Sequence, residues 1–244
     1  MEYITSSDFH FKDTAVALGK FEGIHRGHQL LMDEVKKQEL HGLRSVVFTF
    51  DRPTRLTLTG DTEYKQIYTK KERREILEKR GIDILIEHPF TKEFAALTPD
   101  RFIREVLVEK VGAKVIVVGT DFHFGKNRSG SITDLEKLEE ECGYHLIVVE
   151  KLQLNGKDIS STRIRASLEK GAMEEAKALL GRNYSVSGEI LHGNALGRTI
   201  QVPTINQQVP SFKLLPPNGV YVSKIHWKDE VYYGITNIGT KPTV

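Results

Sequence analysis

Two histidines stand three residues apart in GKFEGIHRGH, residues 19–28, directly after an apolar run and directly before a helical pattern. At the first turn of a helix, His25 and His28 share one face, where the helix dipole and free backbone N–H groups already favour an anion. The chemistry this points to is phosphate binding. Gly27 has no Cβ to keep a phosphate from the backbone, and Gly19 and Gly23 are expected to permit the tight turn. A lone histidine at a helix start is ordinarily a cap or a surface residue; two around a glycine after a strand and Gly-rich turn argue for a site. A second stretch, ISSTRIR at 159–165, also opens a helix. Ser160, Ser161 and Thr162 can cap free N–H groups or donate to a polyphosphate, and Arg163 and Arg165 carry charge that matches phosphate oxygens. Two such helix starts could hold the α-phosphate and the leaving diphosphate of a nucleoside triphosphate, which specifies nucleotidyl transfer. An attacking phosphate monoester is already an anion, so neither a protein nucleophile nor a general base is required; positioning and electrostatics do the work.

Stacked βαβ units would bring such residues to one edge of a sheet. Continuously apolar, β-branched runs at 15–18, 45–50, 82–86, 115–118 and 146–149 predict five parallel strands buried on both faces. Helical patterns occupy 28–40, 70–80, 100–110 and 133–141. Thr98 with Pro99 starts the third, and Gly112 and Gly143 follow the third and fourth. After a helix at 172–180 the periodicity changes. Residues 184–190, 220–225 and 231–235 read as strands, with turns at 216–219 and 228–230, so the second half is all β. The expected division is 1–182 and 183–244. Because the last strand-like run has no closing element, the smaller domain is expected to be incomplete.

Composition sets limits on class. A 39% hydrophobic and 28% charged chain of 244 residues is an ordinary globular protein. Thirty-five basic and 33 acidic residues give a net charge of +2, without the clustered basic face of a nucleic-acid binder. No apolar run approaches a membrane span, and the N-terminus lacks a signal-peptide pattern, so the expected compartment is the cytoplasm. Cys142 is the only cysteine and forms no internal disulfide. Assembly into a homo-oligomer is left open.

The turn at 19–28 resembles the GxFDGxHxGH of the nucleotidyltransferase superfamily, and ISSTRIR resembles the distal motif of the prokaryotic bifunctional riboflavin kinase/FAD synthetases. GTDFHFGKNRSG at 119–130 is similar to that family's GxDFxFGxxRxG, GRTIQVPTIN at 197–206 to its kinase pattern GRTxGxPTxN, and GVY at 219–221 and NIG at 237–239 to further kinase elements. The resemblance implies an α/β, Rossmann-like FMN adenylyltransferase domain that joins ATP and FMN into FAD and pyrophosphate. A smaller all-β riboflavin kinase barrel would follow it, and both would need magnesium. It also implies roles. His25, His28 and Arg165 would be catalytic; Gly19, Phe21, Gly27, Ser160, Ser161, Thr162 and Arg163 would bind ATP. Asp121, Phe122, Phe124 and Arg128 would serve the flavin, although the two phenylalanines fit a core equally well. Thr204 and Asn206 would be the kinase's ATP and magnesium ligands. The chain departs from the pattern at Glu22 (usually Asp), at Arg52-Pro53-Thr54 in place of a DPHP-like loop, and at Gln201 and Ile205 in the kinase motif. The family's kinase glutamate lies beyond the last residue here, so little kinase activity is expected. Two other readings stay open: adenylyl or cytidylyl transfer to another phosphomonoester, and a noncatalytic flavin-binding or regulatory module.

Overall fold

The computed structural model describes residues 1–53, 60–61, 63–191 and 204–239; Thr54, Gln201 and residues 197–203 of the kinase-like motif lie outside the described residues. The apolar runs form one parallel sheet. Its strands are β1 (Glu2–Ile4), β2 (Thr14–Leu18), β3 (Arg44–Phe50), β4 (Ile84–His88), β5 (Ala113–Gly119) and β6 (His145–Val149), in the order β1-β4-β3-β2-β5-β6. The sheet has six strands, not five. The additional strand is three residues long, too short for a period to show, and is defined by pairing with β4 from Glu2 opposite Ile84 to Ile4 opposite Ile86.

Side chains of β2 show why these runs are apolar throughout. Ala15 and Ala17 pack on one face with Phe21, Met32 and Val35, while Val16 and Leu18 pack on the other with Phe102, Leu107 and Val118. A sheet covered on both sides leaves no polar face to alternate with. From β2 the chain builds β3 and β4 on one side and returns to β5 and β6 on the other. The turn that leaves β2 therefore opens where the strand order reverses, the usual place for a ligand in this architecture.

Most helix ends follow their expected caps. α1 (Arg26–Lys37) starts from His25, and α2 (Lys70–Lys79) from a capping box in which Thr69 and Glu72 satisfy each other's backbone N–H groups. α3 starts at Pro99–Arg101 with Thr98 as its cap, but Phe102–Lys110 continues as a π-helix rather than an α-helix. The wide turn ends at Gly112, with φ of 66° and so close to the neighbouring backbone that a Cβ would sit 2.2 Å from the Phe11 carbonyl oxygen. Only glycine fits there. α4 (Ile132–Cys142) ends at left-handed Gly143. A two-residue hairpin of β7 (Gln153–Leu154) and β8 (Lys157–Asp158) then leads into α5 (Ser161–Glu169) and α6 (Met173–Leu180).

Beyond α6 the described residues form two antiparallel ribbons: β9 (Glu189–Leu191) with β10 (Asn206–Gln208), and β11 (Gly219–Trp227) with β12 (Glu230–Ile238). Residues 184–188, expected as strand, are not one. Tyr184 instead packs into a third apolar cluster with Ile67, Tyr68, Ile164 and Leu214, so burial against the first half has overridden its strand propensity.

Candidate active site

The turn between β2 and α1 is strained, though not at its glycines. Phe21 and Ile24 take the left-handed conformation at φ of 44° and 41°, whereas Gly19, Gly23 and Gly27 do not. For a β-branched residue this is a rare conformation that the surroundings must impose. Both side chains are fully buried. Two carbonyls of the turn are held by one guanidinium: Arg182 Nη1 donates to Ile24 O at 2.9 Å and Nη2 to Gly23 O at 3.0 Å. Gln29 Nε2 adds bonds to Ile24 O at 3.0 Å and Leu180 O at 2.8 Å. Glycine 19 is needed for a different reason, since a Cβ there would lie 3.0 Å from the Phe21 ring.

His25 is the N-cap of α1. Its Nδ1 accepts from the His28 backbone N–H at 3.2 Å, which assigns its ring proton to Nε2. The two imidazoles stack at 3.6 Å with 15° between their planes, and Phe21 packs edge-on against His28 at 5.0 Å. His28 Nδ1 is buried and has no hydrogen-bond partner. Burial, then the nearby Arg182 charge, holds His25 down to about 4, with Asp121 opposing; burial and the His25 charge push His28 well below the usual imidazole range. Both rings are neutral at pH 7. They offer N–H donors to an oxyanion without bringing charge of their own.

A pH dependence follows. Because His25 binds its proton more weakly folded than unfolded, protonation favours the unfolded chain. The stability associated with neutral His25 is complete above about pH 6.5 and is lost as pH falls from there toward about 4. Thermal unfolding followed from pH 8 to pH 4 should show a falling midpoint below about pH 6.5 that is shallower in His25→Gln. Equal slopes in the two proteins would contradict the assignment.

α5 brings the second motif to the same place. Ser160 caps it, its Oγ accepting from Arg163 N at 3.2 Å. Gly23 lies so close to this helix that a Cβ on it would be 3.3 Å from Ile164 Cδ1 and 3.6 Å from Ser161 Oγ. The N-termini of α1 and α5 thus meet across Gly23, while Thr162 points to solvent. Arg165 binds the Glu22 carboxylate, donates to Lys65 O at 2.6 Å and lies over the Tyr64 ring at 4.4 Å. Tyr64 Oη donates to the other Glu22 oxygen at 2.7 Å. Glu22, a departure from the family pattern, is therefore the joint between the two motifs. Arg163 has other partners than Arg165. Its guanidinium donates to Glu175 Oε1 at 3.0–3.1 Å and to the Leu154 and Lys157 carbonyls at 2.9 and 3.2 Å, so it secures the β7–β8 hairpin and α6.

After β5, Asp121 is exposed, 3.1 Å from Lys151 Nζ, and near enough to oppose the depression of the His25 pKa. Phe124 is a core residue. It is 7% exposed, packs 5.4 Å from Phe102 and 5.4 Å from half-buried Phe122, and pairs with Gly130 through two backbone bonds. A ring so enclosed has no face left for a flavin. Arg128 is exposed at φ of 58°, and its charge helps lower the Lys20 pKa. Lys20, Glu22, Thr49, Arg52, Tyr64 and Arg73 line a small cavity of about 70 Å³ beside the histidine turn. Thr204 and Asn206 are exposed, Asn206 opposite Leu191 on the β9–β10 ribbon, and Ile205 between them is also exposed. Arg182 was not foreseen. An isolated arginine after a helix carries no local signal, and its partners lie about 158 positions away.

No helix among the described residues is long and apolar enough to cross a membrane. A FAD synthetase family profile matches residues 8–163 and a riboflavin kinase profile residues 180–244. The bifunctional riboflavin kinase/FMN adenylyltransferase of Bacillus subtilis is 36% identical over 233 residues, covering 94% of this chain and 73% of its own length. That of Escherichia coli (strain K12) is 34% identical over 233 residues, covering 94% and 74%. A solved structure of a protein described as macrolide-efflux protein from Streptococcus pneumoniae is 30% identical and superposes with a TM-score of 0.86 over 98% of this chain and 79% of its own. With two profiles spanning both halves and relatives matched along nearly the whole chain, this protein belongs to the bifunctional riboflavin kinase/FMN adenylyltransferase family.

Proposed function

We propose that residues 1–182 transfer AMP from ATP to FMN, forming FAD and pyrophosphate, and that residues 183–244 belong to a module that phosphorylates riboflavin to FMN. The observation that carries the first assignment is the meeting of two helix N-termini at Gly23, with the unpartnered Nδ1 of His28 buried beside them. An oxygen of the FMN phosphate attacks the α-phosphorus of ATP; a new P–O bond forms as the bond to the β-phosphate bridge breaks, and the electron pair leaves with pyrophosphate. His25 and His28 donate N–H groups to the α-phosphate oxygens, where charge builds in the transition state. The N-terminus of α5, with Ser160, Ser161 and Thr162, faces the departing diphosphate, and Arg165 acts from its place on Glu22. Asp121 and Arg128 border the flavin side, with Phe122 at its margin.

Magnesium fits this assignment as a companion of the nucleotide. Among the described residues no cluster of three or more histidine, cysteine or carboxylate ligands exists to hold an ion. The hydroxyl of Thr204 and the amide oxygen of Asn206 are suitable hard donors in the kinase module, and a bound ion there would neutralise phosphate charge. The reading places the enzyme in the cytoplasm, where its small-molecule substrates are, and leaves a homo-oligomer compatible with it.

Incubation with ATP, FMN and magnesium should release pyrophosphate and produce FAD in equal amounts, with a parallel reaction on riboflavin reporting the second activity. A folded protein that binds FMN and forms no pyrophosphate would instead be a flavin-binding module. Product from pantetheine phosphate or nicotinamide mononucleotide in preference to FMN would change the acceptor.

A further inference from the structure

Residues 66–68, two of which line the cavity beside the histidine turn, are held by the second half of the chain. Gln66 N donates to Phe212 O at 2.6 Å and Leu214 N donates to Gln66 O at 2.8 Å, forming a single parallel bridge across the boundary at 182. Between those bonds lies Lys213, whose side chain is wholly inaccessible and sits between the Tyr68 and Tyr184 rings at 4.6 and 4.5 Å. Its three ammonium protons are all used: on Ile67 O at 2.7 Å, Glu72 Oε2 at 2.6 Å and Ser185 O at 3.0 Å. Glu72 in turn accepts from Ser187 N and Oγ at 2.8 and 2.9 Å, while still closing the capping box of α2. Ile67 also receives the Tyr184 hydroxyl at 2.9 Å, and its own N–H donates to Glu22 Oε1 at 3.3 Å.

We propose that Lys213 is a positioning residue for adenylyl transfer, fixing Ile67 and through it the Glu22–Arg165 pair that joins the two phosphate-binding helix starts. The inference rests on the adenylyl-transfer reading above and adds to it that the second half supplies part of the first half's site. A buried ion pair contributes little stability relative to apolar side chains of the same shape, because desolvation offsets the attraction. This one also donates to two carbonyls, and one of them, Ile67 O, belongs to the residue whose N–H holds Glu22. Small displacements of a positioning group reduce turnover far more than they reduce substrate binding.

The test uses the full 244-residue chain and the rate of FAD formation. Lys213→Met alone strands the Glu72 carboxylate, so the main variant is Glu72→Gln with Lys213→Met, which removes both charges and keeps the shape. Its thermal midpoint falls, because glutamine at 72 offers one acceptor oxygen where Thr69 N and Ser187 N each use one, and in protein shown to be folded at the assay temperature kcat falls about tenfold while KM for ATP moves by less than about threefold. A folded double variant with the parent's kcat overturns the proposal, because a merely structural pair would leave turnover unchanged. Tyr184→Phe removes the hydroxyl shared between the Ile67 and Leu214 carbonyls and should lower kcat about threefold at constant KM; parental kcat in this variant also overturns it. A folded parent chain that forms no FAD refutes the adenylyl-transfer reading itself, a result distinct from a loss confined to the variants.

Discussion

His28→Ala forms FAD about 100- to 1000-fold more slowly than the parent chain, the loss expected when a preorganised donor to a transition-state oxyanion is removed. The argument rests on the state of the ring. His28 is neutral, stacked on His25 at 3.6 Å, edge-on to Phe21, and its Nδ1 is buried without a partner. A buried polar atom left unpaired costs free energy in the free enzyme. A nucleotide phosphate that completes the bond recovers it, and does so most in the transition state, where the oxygens carry more charge. Steady-state kinetics should put the effect mainly in kcat. Because alanine also leaves a hole beside Phe21, the unfolding midpoint must be measured alongside: a cavity effect lowers the midpoint, whereas the catalytic effect persists in protein shown to be folded at the assay temperature. A folded His28→Ala with kcat within about threefold of the parent would remove the histidine turn from the chemistry.

Arg182→Ala should lower stability by about 2–3 kcal/mol and FAD formation by tenfold or more, although the side chain belongs to neither motif. Its guanidinium is the tie that holds Gly23 O, Ile24 O and Leu180 O together, linking the strained turn to the end of α6. Ile24, at φ of 41°, has a buried side chain and a carbonyl bonded by both Arg182 and Gln29. Without the arginine those carbonyls lose their charged donor and the turn relaxes toward ordinary backbone angles, carrying His25 out of its capping position. Arg182→Lys should restore little. An ammonium is a point donor, and the two carbonyls are matched by the planar fork of the guanidinium. Denaturant unfolding and kinetics on both variants check this. Full activity in Arg182→Lys would show that only the charge matters, and full activity in Arg182→Ala would show that the turn holds itself.

Much of the site could be read from local pattern, and the failures share one cause. His25 and His28 were legible because spacing along a helix start dictates a common face, and Ser160 because capping is a short-range bond. Arg163 and Arg165 looked equivalent in sequence, two residues apart on one helix. Their partners separate them: Glu175 and the hairpin carbonyls take Arg163, and Glu22 takes Arg165. Phe122 and Phe124 fitted both a flavin and a core by their period, and Phe124 went to the core once α3 supplied Phe102 to cover it. The glycines of the turn are expected to permit its tight bend, yet the left-handed backbone falls on Phe21 and Ile24, where burial and Arg182 compensate.

By itself, then, the sequence determined the continuously apolar strands, several caps of the helices, the change from α/β to all-β along the chain, and the two motifs that open helices. Each depends on interactions within a few residues or on a repeating period. Only the tertiary structure decided that both helix starts meet at Gly23, that the histidines are neutral, that Glu22 joins the motifs, and that Lys213 from the second half secures them. Burial and long-range hydrogen bonds set those outcomes, and neither is a property of any segment until the chain has folded around it.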